Sequence, residues 1–375
     1  MELPFDSDRL DQLMSEAGVD VVLATSKHNT RYMLGGYRYH FYSEMEPAGR
    51  SRYITAVGYV GGRRGDSFFV AWPGEAGQAE REGIWVPNVR AEAGSSVEVA
   101  AIAADAIEKL GLAAGTVAVE GPFIPADAQA ELARRLPHAR IVDGVKLLER
   151  LRAIKSPEEL ARLRNASDLI VQSMLGAVRQ AKPGVTTREI AERLRSEEVS
   201  RGLGFDYCLV ATARSFYRAP GDDRWEAGNT ISIDSGGNHG GYIGDLARMA
   251  VLGEPTQLMK ELLAEIDVVQ MAARKPIRPG ATGAQIFESA REELSRQAHR
   301  AETVFEAHGM GLVSHEDPHV SPSDQEALQS GMVLSIETTM KNPEVGFVKL
   351  EDTVVVTGDG WDAYGDEARG WNVVG

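Results

Sequence analysis

KPGVTTREIAERLRSEEV at residues 182–199 returns in altered form as RPGATGAQIFESAREELS at 278–295, and the architecture follows from this repetition. Each copy is a Pro-Gly turn opening an amphipathic helix, preceded by a long helical pattern and followed by strand-like runs. Such a pattern predicts two related αβ halves that close on one another with a site between them. Upstream, LRAIKSPEELARLRNASDLI at 151–170 marks a boundary. Ser156, Pro157 and Glu159 make a capping-box start for a helix reaching about Gln180. Before the boundary, SDRLDQLMSEAG places Leu10, Leu13, Met14 and Ala17 on one helical face and stops at Gly18. VDVVLATS, SRYITAVGYV and SFFVAW read as strands, and VEVAAIAADAIEKL and DAQAELARRL as helices. The expectation is an α/β domain over residues 1–150, then an α+β domain over 151–375 with internal pseudo-two-fold symmetry.

The second domain also carries four carboxylates and a histidine on strand-like segments. Asp234 and Asp245 lie in ISIDSGGNHGGYIGDLARM, His308 in EAHGMGL, Glu337 in LSIETTM and Glu351 in VKLEDTVVVT. Alternation along a strand puts Glu351 on one face with Lys349 and Thr353, Glu337 with Val333 and Ser335, and Asp245 with Ala247 and Met249. The opposite faces are free to pack apolar side chains. Carboxylates gathered beside apolar runs need a counter-charge. Two divalent cations sharing bridging carboxylates supply one, and oxygen-rich ligation with one imidazole suits Mn2+, Fe2+ or Co2+.

The formal net charge of −15 disfavours a nucleic-acid backbone or an anionic membrane as partner. MELPFDSDRLDQL has no basic start and no long apolar run, so it is not expected to be a signal peptide. No segment approaches the roughly 18 apolar residues of a membrane span. The single cysteine, Cys208 in the strand-like FDYCLVAT, predicts a buried thiol and a cytoplasmic location.

At the carboxylates and His308 the chain resembles the creatinase/prolidase/aminopeptidase P family, whose catalytic domain has the pita-bread fold. All five metal-ligand positions of that family carry the expected residue types, in order. RLDQLMSEAGVDVVLATSKHNTRYMLGG (9–36) looks like its N-terminal domain and LRAIKSPEEL (151–160) like its inter-domain helix. The resemblance implies that Asp234 chelates one metal, Asp245 and Glu351 bridge both, and His308 and Glu337 complete the second. It implies two ions, Mn2+ first and Co2+, Fe2+ or Zn2+ as alternatives, acidifying a water that attacks the substrate. Glu337 is then the general base, and His315 in SHEDP matches a histidine that assists catalysis or holds the substrate. The implied reaction is hydrolysis of a C–N bond in a small carboxylate-bearing substrate, with an Xaa-Pro dipeptide as default. Creatine or ectoine hydrolysis, dimethylsulfoniopropionate lysis and a non-enzymatic peptide- or histone-binding module are the alternatives. A homodimer is implied, with the insertion YRYHFYSEMEPAGRSRY (37–53) lining the partner's site, against an ordinary surface loop.

The chain departs from the family pattern at four places. Family peptidases carry a histidine upstream of the first aspartate; here YRAPGDDRWEAGNTISID (217–234) puts Arg218 there. Arg218 either clamps a substrate carboxylate or pairs with Asp222 or Asp223. Glu337 is followed by Thr338 and Thr339 instead of Pro-Gly, Met249 stands where threonine is common, and Lys349 replaces an arginine. His239 and His319 receive no role, and Tyr242 and Arg248 are expected to be structural.

Overall fold

The computed structural model describes residues 3–39 and 54–375. It divides into two compact units, Met1–Leu151 and Arg152–Gly375. The first runs α1 (Ser7–Ala17), β1 (Val21–Ala24), α2 (Lys27–Met33), β2 (Ala56–Val60), β3 (Phe68–Ala71), α3 (Ala76–Glu82) and β4 (Asn88–Ala91). It continues through α4 (Ser96–Lys109), β5 (Thr116–Val119), α5 (Ala126–Arg135) and β6 (Arg140–Asp143), and the chain passes into the second unit within the last turn of α6 (Val145–Ala153). Its sheet has the order β4-β3-β2-β1-β5-β6. Val21, Leu23, Val117 and Val119 from the central strands pack against Ala100, Ala103, Ala104 and Ile107 of α4. The predicted strand 51–60 is found as β2; its residues 51–53 lie outside the described residues.

The second unit contains α7 (Pro157–Arg179), β7 (Val185–Thr186), α8 (Thr187–Ser200), β8 (Gly204–Thr212), β9 (Arg224–Trp225), β10 (Thr230–His239) and β11 (Tyr242–Leu252). Then come α9 (Gln257–Arg274), α10 (Gly283–Leu294), β12 (Thr303–Gly309), β13 (Glu316–His319), β14 (Val333–Asn342), β15 (Gly346–Val356), β16 (Trp361–Tyr364) and β17 (Asn372–Val374). The sheet path is β13-β12-β14-β15-β11-β10-β8, with β16 on β15 and β17 on β11. Two similar halves are visible along it: α7, α8, β8, β10 and β11, then α9, α10, β12, β14 and β15. They adjoin at β11 and β15, where Ala247 lies opposite Glu351.

Local chemistry explains the elements. Ser156 and Glu159 cap α7 reciprocally with Pro157 in the first turn, as the sequence predicted. Thr186 with Glu189 and Thr282 with Gln285 repeat the device at α8 and α10, which is why the two copies look alike. Gly240 and Gly241, with φ of +61° and +95°, form the two-residue turn joining β10 to β11. One face of the sheet is packed by helices: Ile231, Ile233 and Leu246 lie in one core with Ile170, Met174, Ile190 and Leu194. In the other half Leu334, Ile336 and Val354 pack with Val269, Ala273 and Ile286. The residues alternating with these point to the opposite face. No helix among the described residues is long and apolar enough to cross a membrane.

Candidate metal centre

Strand register builds the site in rows. Asp234 on β10 lies opposite Ala247 on β11, Ala247 opposite Glu351 on β15, and Glu351 opposite Glu337 on β14. The neighbouring positions His308, Ser335 and Thr353 form a second row, and Asp245 faces Gly236 in a third. Side chains two residues apart share a face, so Asp234, Asp245, His308, Glu337 and Glu351 converge on the face away from the helices. All five are buried. Ligand atoms of Asp245, His308 and Glu351 lie within 4.8 Å of one another, and His308 Nε2 is 3.5 Å from Glu337 Oε1.

Surrounding groups hold these donors in place. Ser335 Oγ donates to Glu351 Oε1 at 2.8 Å, whereas the buried Glu351 Oε2 accepts no hydrogen bond of good geometry. Tyr207 on β8 donates its hydroxyl to Asp245 Oδ1. It reaches across Gly236, where an added Cβ would fall 2.2 Å from the Tyr207 ring. His308 Nδ1 sits 3.2 Å from the Gly309 carbonyl, the arrangement that leaves Nε2 for a cation. A hard oxygen-rich donor set with one imidazole fits divalent-metal ligation.

Two side-chain cations enter the same cluster. Lys349 Nζ lies 2.6 Å from Asp234 Oδ2, 2.6 Å from Glu337 Oε2 and 2.9 Å from Glu351 Oε2. Arg218 contacts Asp234 Oδ2 as well, and its guanidinium stacks 4.7 Å from the Phe347 ring centroid. The expected pairing of Arg218 with Asp222 or Asp223 is therefore corrected: the first aspartate of the cluster is its partner. Burial pushes Asp245 up to about 7, helped by the charge of Asp234. Burial pushes Glu337 the same way, but His308 and Lys349 prevail and bring it down to about 2. Burial and Asp245 raise Glu351 well above the carboxylate range.

The other predicted residues are placed as follows. His315 is exposed and stacks on His308 at 3.7 Å between ring centroids, and burial of its inner side together with His308 lowers its pKa. His319 is exposed and 3.1 Å from Asp317. His239 ends β10 at the glycine turn. Cys208 is buried and burial raises its thiol to about 12. Tyr242 donates to Glu159, and Arg248 supports β15 through the Glu351 carbonyl at 2.8 Å and Asp352 at 2.6 Å. Of the insertion at 37–53, residues 40–53 lie outside the described residues.

Sequence reasoning missed Tyr207, Glu198 and Asp352. Tyr207 was findable, since alternation along FDYCLVAT sets it on the face opposite Cys208. Glu198 in α8 is fully buried beside Ser235, and its Oε2 has no hydrogen-bond partner. Ser235 Oγ lies 2.8 Å from Glu198 Oε1 and 2.7 Å from the Tyr207 carbonyl. Ser235 has one hydroxyl proton for these two acceptors, so the buried Glu198 carboxylate is only partly served by it. Burial pushes Glu198 up to about 8, outweighing the Ser235 hydrogen bond. An acid raised in this way costs stability as pH climbs from the unfolded value, about 4.3, towards 8. Glu198→Gln is expected to raise the melting temperature over wild type, the gap widening from pH 5 to 8 and then levelling. Calorimetry across that range checks it; a gap independent of pH would refute the assignment.

Comparisons with known proteins agree with this fold. The model for "Metallopeptidase family M24" matches residues 161–358, and that for "Creatinase/Prolidase N-terminal domain" matches 7–154. The uncharacterised peptidase YqhT of Bacillus subtilis is 25% identical over 94% of this chain and 95% of its own length. An Xaa-Pro dipeptidase of Pyrococcus furiosus is 29% identical over 57% of this chain, and the match spans 63% of that enzyme. Among solved structures, the X-Pro aminopeptidase of Thermotoga maritima superposes with a TM-score of 0.82 at 21% identity, covering 98% of this chain and 99% of that one. The N-terminal domain of the FACT subunit SPT16 from chickpea shares the fold at a TM-score of 0.75 and 15% identity, with 96% of each chain covered. The fold is thus the pita-bread fold preceded by a creatinase-type N-terminal domain.

Proposed function

The chain belongs to metallopeptidase family M24, and on that premise we propose that it is a dinuclear-metal hydrolase of the Xaa-Pro dipeptidase type. Its substrate is a small molecule or dipeptide bearing a carboxylate, cut at a C–N bond. The observation that carries this reading is the convergence of Asp234, Asp245, His308, Glu337 and Glu351 on one face of a helix-backed sheet. Asp245, His308, Glu337 and Glu351 would hold one ion, and Asp234 with the shared Asp245 and Glu351 the other. The donors favour Mn2+, with Co2+, Fe2+ or Zn2+ as alternatives. Bound ions would acidify water and polarise the scissile carbonyl.

The side chains have separate tasks. Glu337, held ionised at neutral pH, takes the proton from the attacking water. His315, whose lowered pKa keeps it neutral, presents an imidazole to the substrate beside His308. Arg218 spends one nitrogen on Asp234, and its remaining donors are free to receive the substrate carboxylate. A panel of Xaa-Pro dipeptides with added Mn2+ tests the activity: turnover supports it. Activity on a non-peptidic amide or guanidine but on no dipeptide would move the assignment to a small-molecule hydrolase or lyase. That second reading is favoured by Arg218 and Lys349 in places where family peptidases carry histidine and arginine. Arg218→Ala is expected to raise KM about 10–100-fold, the scale of a lost charged hydrogen bond, with a smaller change in kcat. An unchanged KM would remove Arg218 from substrate binding.

The reading extends to a homodimer, testable by sedimentation, and to a cytoplasmic location suggested by the single cysteine. The net charge of −15 argues against nucleic acid or membrane as partner.

A further inference from the structure

We propose that Lys349 and Arg218 hold the Asp234 side of the centre in competition with the second metal ion, so that the two ions load unequally. This rests on the metal reading above and deepens it. The Lys349 ammonium lies within 2.9 Å of three of the four carboxylates, Asp234, Glu337 and Glu351. Its side chain is 6% exposed, so water cannot replace these partners where it sits. Arg218 contacts the same Oδ2 of Asp234 that Lys349 does. The oxygen needed to chelate an ion there is claimed twice by the chain itself.

Charge balance points the same way. Deprotonated as metal ligands must be, Asp234, Asp245, Glu337 and Glu351 bring four negative charges, against which Lys349 and Arg218 set two positive ones. Two negative charges remain while His308 is neutral, as a ligand must be. One divalent ion neutralises them. A second ion added with both side chains in place would leave a buried excess of two positive charges, which is costly. The first ion has an open seat: Lys349 touches Glu351, but Asp245 and His308, the other two members of the close trio, keep their ligand atoms free of it. The second ion gains Asp234 only as the ammonium withdraws. A lysine suits this role better than an arginine, because its ammonium is a compact point charge on a flexible stem.

The test is a count of bound ions. Chain stripped with a chelator is titrated with Mn2+ by calorimetry, with equilibrium dialysis and elemental analysis as a second count. Wild type is expected to take one tight equivalent and a second at least 100-fold more weakly. Lys349→Met is expected to tighten the second equivalent tenfold or more and to move the first less than threefold. Arg218→Leu, on the half-exposed side, is expected to shift the second ion in the same direction. Two equal tight equivalents in wild type overturn the proposal and leave the metal reading standing, as does a second ion unmoved in both variants. No binding at any equivalent overturns both. Should Lys349→Met lose its circular dichroism signature, the wild-type stoichiometry and Arg218→Leu still decide.

Discussion

Asp352→Ala is expected to lower the unfolding free energy by about 3–5 kcal/mol, the usual cost of leaving buried charges uncompensated. Asp352 follows Glu351 on β15 and so faces the helices, where Arg248 and Arg274 each reach it at 2.6 Å and Arg369 joins them. Arg248 and Arg274 are themselves buried. Burial alone would raise the Asp352 pKa, but Arg248, Arg369 and Arg274 prevail and hold it below its ordinary value. For a depressed acid the stabilisation is complete above the unfolded value, about 3.9, and is lost as pH falls through the folded one. Denaturant unfolding should therefore show the full deficit at pH 7 and a shrinking one below pH 4. A deficit under 1 kcal/mol at pH 7 would show that the arginines find other partners.

Glu351→Gln and Asp245→Asn are expected to lower kcat by roughly 1,000-fold or more, since metal assistance contributes several kcal/mol to the barrier. Bound metal should fall in parallel by elemental analysis, while circular dichroism stays unchanged. Tyr207→Phe and Ser335→Ala, which remove hydrogen bonds to Asp245 and Glu351, should each cost about 10–100-fold in metal affinity or activity. Wild-type turnover in Glu351→Gln would exclude this cluster as the active centre.

What could be seen in the sequence was local or periodic. Ser156 and Glu159 announce the start of α7 because both halves of that contact lie within one turn. The shared face of Lys349 and Glu351 follows from strand alternation alone. Register is another matter. That Asp234 and Glu351 meet across Ala247 depends on which residues of three strands align, and no spacing within one strand encodes it. The same gap hid the reach of Lys349 to Asp234 and of Arg218 to that aspartate instead of its sequence neighbours. Asp352 was invisible for a related reason: its partners come from β11, α9 and the segment before β17, brought together only by packing. Glu198 carried no motif; only its total burial and the contested Ser235 proton mark it.

The two halves of the second unit meet where β11 and β15 share a single registered pair, Ala247 with Glu351. Asp234 belongs to one half, Glu337 and Glu351 to the other, and the Lys349 ammonium joins all three. Any positive charge lodged there is also an adhesive between duplicated modules, and neither module alone carries a full set of donors. Occupancy of the cleft and cohesion of the domain are therefore one equilibrium.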